Sequence, residues 1–145
     1  MFYGACHLYY CFLPSVPAPT NHLQTQDGFH YPKSILPTLQ NSECAFKRRG
    51  APFTFDAEAF VQLVKALRET PVTEVDDPTK SFHAPSFDHA IKDPIENDIY
   101  IPSSQRIVIL EGNYLLLNEN PWDQIQHLVD ESSVFPFCFI ANQPS

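Results

Sequence analysis

From Asp56 to Glu69 the chain reads DAEAFVQLVKALRE, and its apolar residues Phe60, Leu63, Val64 and Leu67 recur at i, i+3, i+4 and i+7. That period predicts an amphipathic helix with one buried stripe. Asp56 stands just before it, where a carboxylate can accept a hydrogen bond from a free backbone N–H, and acids crowd the first turn. The next stretch, TPVTEVDDPTKSFHAP, has no period and predicts a loop with short extended pieces. NDIYIP alternates, as a strand or hairpin arm does. RIVILEGNYLLL opens on a compact apolar run, which predicts a strand buried on both faces. In NPWDQIQHLVDE, Asn120 as N-cap, Pro121 at the first helical position and Trp122, Ile125 and Val129 on one face predict a second helix. A long helix followed by a strand and another helix predicts an α/β layered fold.

The two ends break this pattern. The first 25 residues contain no Lys, Arg, Asp or Glu. Their apolar run is interrupted by His7 and closes in a Pro-rich stretch, unlike the positive start and continuous apolar core of a secretory signal. They read as a divergent head, disordered or mis-annotated. The tail, SSVFPFCFIANQPS, is apolar without a period, which suits either a final buried strand or an exposed aggregation-prone segment. The chain therefore divides into a head over 1–25, a domain over 26–131 and a divergent apolar tail over 132–145. No internal repeat is visible.

Composition narrows the class. A chain of 145 residues suffices for one domain with a sizeable core. Apolar residues at 43% and aromatics at 13% suit a globular protein, while 14 prolines shorten helices and favour extended segments. The formal net charge of −8 disfavours nucleic acid as a partner, because phosphate backbones need clustered Lys and Arg. It leaves room for a small anion held by a local basic cluster. No apolar run is long enough to span a membrane. Cys6, Cys11, Cys44 and Cys138 form no C-x-x-C pair and match no zinc spacing, so they read as unrelated thiols of a reducing, cytoplasmic compartment.

Four stretches concentrate the polar chemistry: QDGFHYP, KRRGAPFTFD, SFDHAIKDP and RIVILEGNYLLL. Glu111 stands where an apolar strand ends and Gly112 lets the chain turn. In open α/β sheets ligands bind beyond the carboxyl ends of the strands, and an acid there can hold Mg²⁺ beside phosphates. The same residue could equally be a solvated strand-end acid. Asp27 in Asp-Gly could be plain turn chemistry. A carboxylate there could orient a substrate hydroxyl beside the attacking oxygen.

Taken together and in this order, the four stretches resemble the phosphoribulokinase/uridine kinase family of P-loop small-molecule kinases. The likeness runs from Gln26 to about Glu131 and is strongest to a nucleoside- or sugar-kinase-like branch that carries DGFHYP, RRGAPFTFD and EGNYLLL. It implies an incomplete P-loop NTPase-type α/β fold, a parallel sheet flanked by helices. It also implies ATP and Mg²⁺ as cofactors, and a small-molecule acceptor: a nucleoside, a sugar or a pantothenate-like compound. By the same resemblance Asp27 would be the catalytic base and Glu111 the Mg²⁺-side acid, acting directly or through water. Phe55, Asp56, Phe87 and His89 would line the acceptor pocket, and His30 and Tyr31 would flank the base. Arg48 and Arg49, the only adjacent arginines, could meet an anionic substrate group or form a solvated turn. Asp56 could cap its helix and touch substrate at once.

Two features depart from the family pattern. A nucleotide loop of the form G-x-x-x-x-G-K-[ST] cradles phosphates with backbone N–H groups and a lysine. Of the four glycines here, Gly4, Gly28, Gly50 and Gly112, none is followed by lysine. The residues before Asp27, NHLQT, are polar where the family has an apolar strand. The expectation is a phosphotransferase domain that does not turn over as these 145 residues stand. The competing expectations are a non-catalytic pseudo-kinase that binds an acceptor or a partner, a second copy of the chain included, and a piece without function.

Overall fold

The computed structural model describes residues 6–12, 21–40 and 42–135. In chain order the elements are β1 (Cys6–Phe12), β2 (Asn21–Thr25), α1 (Ser42–Lys47), α2 (Ala57–Glu69), β3 (Phe82–Asp88), β4 (Asp93–Ile101), β5 (Ile107–Gly112) and β6 (Glu131–Phe135). Short 3₁₀ turns cover Gln26–Phe29, Leu36–Thr38, Pro52–Thr54 and Trp122–His127.

The central sheet has the order β2-β5-β1-β6, and β3 and β4 form a separate antiparallel hairpin. β2 lies parallel to β5, in a register running from Asn21 opposite Ile107 to Thr25 opposite Glu111. β1 is antiparallel to both β5 and β6, so β2, β5 and β6 share one direction and β1 alone opposes it. The fold is α/β, as the sequence predicts, but the sheet is mixed. Within the divergent head, Cys6–Phe12 and Asn21–Thr25 form β1 and β2, and residues 1–5 and 13–20 lie outside the described residues. The tail begins as an edge strand, β6, and residues 136–145 likewise lie outside them. NHLQT forms β2 despite its polarity, because β5 offers a full parallel ladder to pair with.

β5 differs from its expectation in burial. Val108, Leu110 and Gly112 are buried and the residues between them are half-buried, so one face carries the core. α2 packs there. Phe60, Val61 and Val64 are buried with Val108, Leu110, Leu115, Trp122 and Ile125, and Leu63 and Leu67 cover the margin. Phe29 meets Phe60 edge-to-face at 5.0 Å, which joins the turn after β2 to this core.

The second predicted helix is instead the 3₁₀ segment Trp122–His127. Its bonds close over three residues, as in Gln124 N–H to the Pro121 carbonyl at 3.1 Å and Leu128 N–H to Ile125 at 2.9 Å. In that tighter spiral residues three apart eclipse, and both Trp122 and Ile125 reach the core.

Gly112 is required by its neighbour. A Cβ there would lie 2.2 Å from Gln26 Oε1, and that same oxygen accepts the Tyr114 N–H at 3.1 Å. Gly112→Ala should lower unfolding stability by about 1–3 kcal/mol through overpacking. Adding Gln26→Gly removes both the Oε1 contact and the Cβ contact at 2.5 Å, so urea denaturation of the double variant should show a loss smaller than the sum of the two single losses.

Candidate active site

The carboxyl ends of β2 and β5 bring the two predicted acids to the same end of the sheet. Thr25 is the register partner of Glu111, and Asp27 follows two residues later in the turn. The Asp27 side chain is 46% exposed and so open to a ligand. Glu111 is half-buried near the end of β5. Among the described residues no group of three or more His, Cys, Asp or Glu converges as a metal cage. Two carboxylates are nevertheless the usual protein share of a Mg²⁺ site that draws its other ligands from water and phosphate.

The turn itself is tightly held. His30 Nδ1 donates to the Asp27 carbonyl oxygen at 2.8 Å and sits 4.0 Å from its carboxylate. The strand-like stretch after it runs antiparallel to the residues before α2: Tyr31 N–H donates to Thr54 O at 2.9 Å, and Asp56 N–H to Phe29 O at 2.7 Å. Asp56 then caps α2, its Oδ1 accepting the Ala59 N–H at 3.0 Å, as the sequence predicts. The His30 ring lies between Phe55 at 3.9 Å and Phe87 at 4.8 Å, and His89 adjoins Phe87 at 5.2 Å. Phe55 also contacts Tyr114 and Trp122, so it belongs to the core as much as to the site.

The β3–β4 hairpin roofs the turn. A Cβ on Gly28 would lie 2.1 Å from the Pro85 carbonyl oxygen, so only glycine permits this approach. Between the two lies a cleft of about 270 Å³ lined by residues 28–32, Asp56, Ala59, Pro85, Pro94, Glu96 and Asn97. It joins His30, Tyr31 and Asp56 from the predicted set. Phe87 and Phe55 border the His30 ring from other sides, and His89 stands behind Phe87.

The two arginines part company. Arg49 Nη2 donates to Asp93 at 2.8 Å and to the Tyr31 carbonyl at 3.0 Å, Nη1 reaches the Lys92 carbonyl, and the guanidinium stands 5.8 Å from the Phe87 ring centre. It pins the hairpin tip to the turn. Arg48 is exposed, 6.0 Å from the Phe53 ring centre, and borders a separate hollow with Cys44 and Lys47. Sequence reading missed the hairpin wall of Pro85, Pro94, Glu96 and Asn97, and it missed Asp93 as the partner of Arg49. A signal was present in KDP, an acid placed between a lysine and a rigid proline.

The electrostatics follow from burial. Desolvation lowers the His30 pKa, an effect that its hydrogen bond to Asp27 O and the Asp27 charge only partly offset. His22 is also lowered by burial. Desolvation works against the Asp93 carboxylate, but the bonds from Arg49 and the Lys33 N–H outweigh it and hold its pKa below the usual range. Burial, with the Asp56 and Glu58 charges, raises that of the Tyr31 hydroxyl.

For the two histidines the folded chain binds fewer protons than the unfolded chain just below their ordinary pKa of 6.5. Their contribution to stability is therefore complete above that value and is lost as pH falls through the depressed folded values. The urea midpoint should drop on acidification from neutral pH, and it should drop less in His30→Gln.

No family model matches the chain. It is 46% identical over 106 residues to an ATP-dependent kinase-like protein, notR', of Aspergillus versicolor, covering 73% of this chain and 59% of that one. It is 44% identical over 110 residues to a candidate uridine kinase of Schizosaccharomyces pombe, covering 76% and 44%. Among solved structures it resembles YFH7 of Saccharomyces cerevisiae, a candidate P-loop kinase with a circular permutation, at 34% identity and a TM-score of 0.66, covering 74% of this chain and 37% of that one. A candidate fructose transport system kinase from Silicibacter matches at 28% identity and a TM-score of 0.63, covering 76% and 47%. The chain thus spans about half the length of the curated relatives it matches. Over the segment it shares with these proteins, the chain is a member of the uridine kinase-like P-loop kinases and carries a part of their α/β fold.

Proposed function

We propose that this chain provides the acceptor-binding half of an ATP-dependent small-molecule kinase. The observation that carries the reading is the pairing of β2 with β5, which sets Asp27 and Glu111 at the carboxyl ends of adjacent parallel strands. Asp27 would receive the acceptor hydroxyl and orient it for in-line attack on a phosphoryl group, its carboxylate accepting the hydroxyl proton as the new bond forms. Glu111, with Asp27, would hold Mg²⁺, which neutralises charge on the transferring phosphoryl group when bound. His30 and Tyr31 would bind the acceptor body, and Asp56 would take its hydroxyls while still capping α2. Phe87 and His89 would shape the pocket behind His30.

The residues that suit Mg²⁺ and an acceptor do not extend to a triphosphate cradle. A phosphate loop follows the carboxyl end of its strand. β1, the strand beside β5, runs the other way: Phe12 pairs with Ile107 and His7 with Gly112. The chain therefore leaves β1 from the edge opposite Asp27 and Glu111. No G-x-x-x-x-G-K-[ST] segment occurs in the sequence. Acceptor binding without turnover is the expected behaviour of these 145 residues. The reversed β1 also favours a second reading, a non-catalytic binding module, which association with an intact homologous copy would support.

Two measurements on the purified chain test this. In backbone NMR, Mg²⁺ should shift the amides of the Asp27 turn and Gly112, and Asp27→Asn or Glu111→Gln should weaken that response several-fold. A panel of hydroxylated acceptors with MgATP should perturb the His30 cleft while ADP release stays at background. A panel that leaves the cleft untouched would sink the acceptor reading. ADP release above background would overturn the expectation of no turnover.

A further inference from the structure

The cleft beside His30 is rich in hydrogen-bond acceptors and poor in donors. Two carboxylates, Asp56 and Glu96, line it, and no lysine or arginine does. Asp56 commits Oδ1 to the Ala59 N–H and has a second oxygen to offer. The His30 side chain is 10% exposed. Its Nδ1 must be the donor toward the Asp27 carbonyl, because a carbonyl oxygen only accepts. In the neutral ring Nε2 then presents a lone pair, which among the described residues accepts no hydrogen bond from a protein donor. Besides His30, the lining residues with side-chain donors are Tyr31 and Asn97.

Among the described residues, no Lys or Arg side chain lines the cleft to correct this balance. The Arg49 guanidinium is committed to Asp93, the Tyr31 carbonyl and the Lys92 carbonyl. Arg48 borders a different hollow. Lys33 turns its ammonium to the Ile91 carbonyl at the hairpin tip. An anion entering the cleft would meet Asp56, Glu96 and the neighbouring Asp27 with no counter-charge. A ligand carrying positive charge and N–H or O–H donors would satisfy the two carboxylates and the His30 Nε2 lone pair together.

We propose that this cleft selects a hydroxylated acceptor that bears an ammonium group, an amino polyol or amino alcohol, and rejects phosphorylated or carboxylated acceptors. The inference rests on reading the cleft as the acceptor side of the site. The ammonium would sit between Asp56 and Glu96, a hydroxyl would donate to His30 Nε2, and the hydroxyl to be phosphorylated would turn toward Asp27. Pro85 and Pro94 cover the carbon skeleton from the hairpin side. This replaces the expectation that the adjacent arginines receive an anionic substrate group.

The test compares four probes that differ in charge: N-methylglucamine, sorbitol, sorbitol 6-phosphate and uridine. Each is titrated into the purified chain near neutral pH, where the amine is protonated. Imidazole and backbone NMR then follow His30 and Asp56. N-methylglucamine should bind about tenfold more tightly than sorbitol, a difference of about 1.4 kcal/mol. Sorbitol 6-phosphate should leave the cleft unperturbed. Glu96→Gln, at an exposed position, and Asp56→Asn, which keeps a good N-cap, should each erase most of that preference without changing the melting temperature. Equal binding of sorbitol and N-methylglucamine, or binding of sorbitol 6-phosphate at His30, overturns the proposal. Occupancy by uridine alone also overturns it while leaving the acceptor reading intact. Silence from all four probes counts against both.

Discussion

The parallel pairing of β2 with β5 is the constraint on which the rest of the site depends. It joins a strand of weak composition to one of strong composition. β5 is apolar and half buried, and it presents a row of hydrogen-bonding groups that needs a partner on its β2 side. β2 supplies that partner at a cost. Its inward face carries His22, Gln24 and then Gln26, and the side-chain atoms Gln24 Oε1, Gln26 Nε2 and His22 Nε2 are buried without a hydrogen bond. Backbone pairing outweighs side chains that would otherwise argue against a strand. The return is positional: the Asp27 turn and Glu111 arrive at one edge of the sheet.

A second constraint builds outward from that edge. The turn after β2 is squeezed between the core, through Phe29 and Phe60, and the β3–β4 hairpin, through Gly28 and Pro85. Arg49 then ties the hairpin tip down by bonding Asp93 and the Tyr31 carbonyl. These groups are shielded on several sides, so the ion pair fixes orientation more firmly than a solvated pair would. Spending Arg49 on architecture leaves the neighbouring cleft with acids and a neutral imidazole. The same bond that shapes the cleft therefore sets its charge.

The direction of β1 bears on the donor side of the chemistry. Three strands agree in direction and β1 does not. An antiparallel strand satisfies the ladders of β5 and β6 as well as a parallel one would, so the sheet is closed over that gap. The chain leaves β1 at the end opposite the one where Asp27 and Glu111 stand. Backbone hydrogen bonding and phosphate binding place different demands on that position, and this arrangement meets the first.

The sequence by itself determined the features set by neighbours a few residues apart. The Asp56 cap, the apolar stripe of α2, the strand in RIVILEG and the hairpin arm in NDIYIP all arise from local period and local hydrogen bonding, and each appears in the structure. The four motifs in order also made the kinase likeness legible. Tertiary structure decided what depends on residues far apart in the chain. It turned NHLQT into a strand by pairing it with β5, and it shortened the expected second helix to a 3₁₀ turn that drives Trp122 and Ile125 into the core. It gave Arg49 a partner 44 residues away and left its neighbour Arg48 outside the cleft. Spacing along a chain reports which side chains share a face. It does not report which distant group will satisfy a charge or a strand edge, because that choice is made only when the whole chain competes for the same hydrogen bonds.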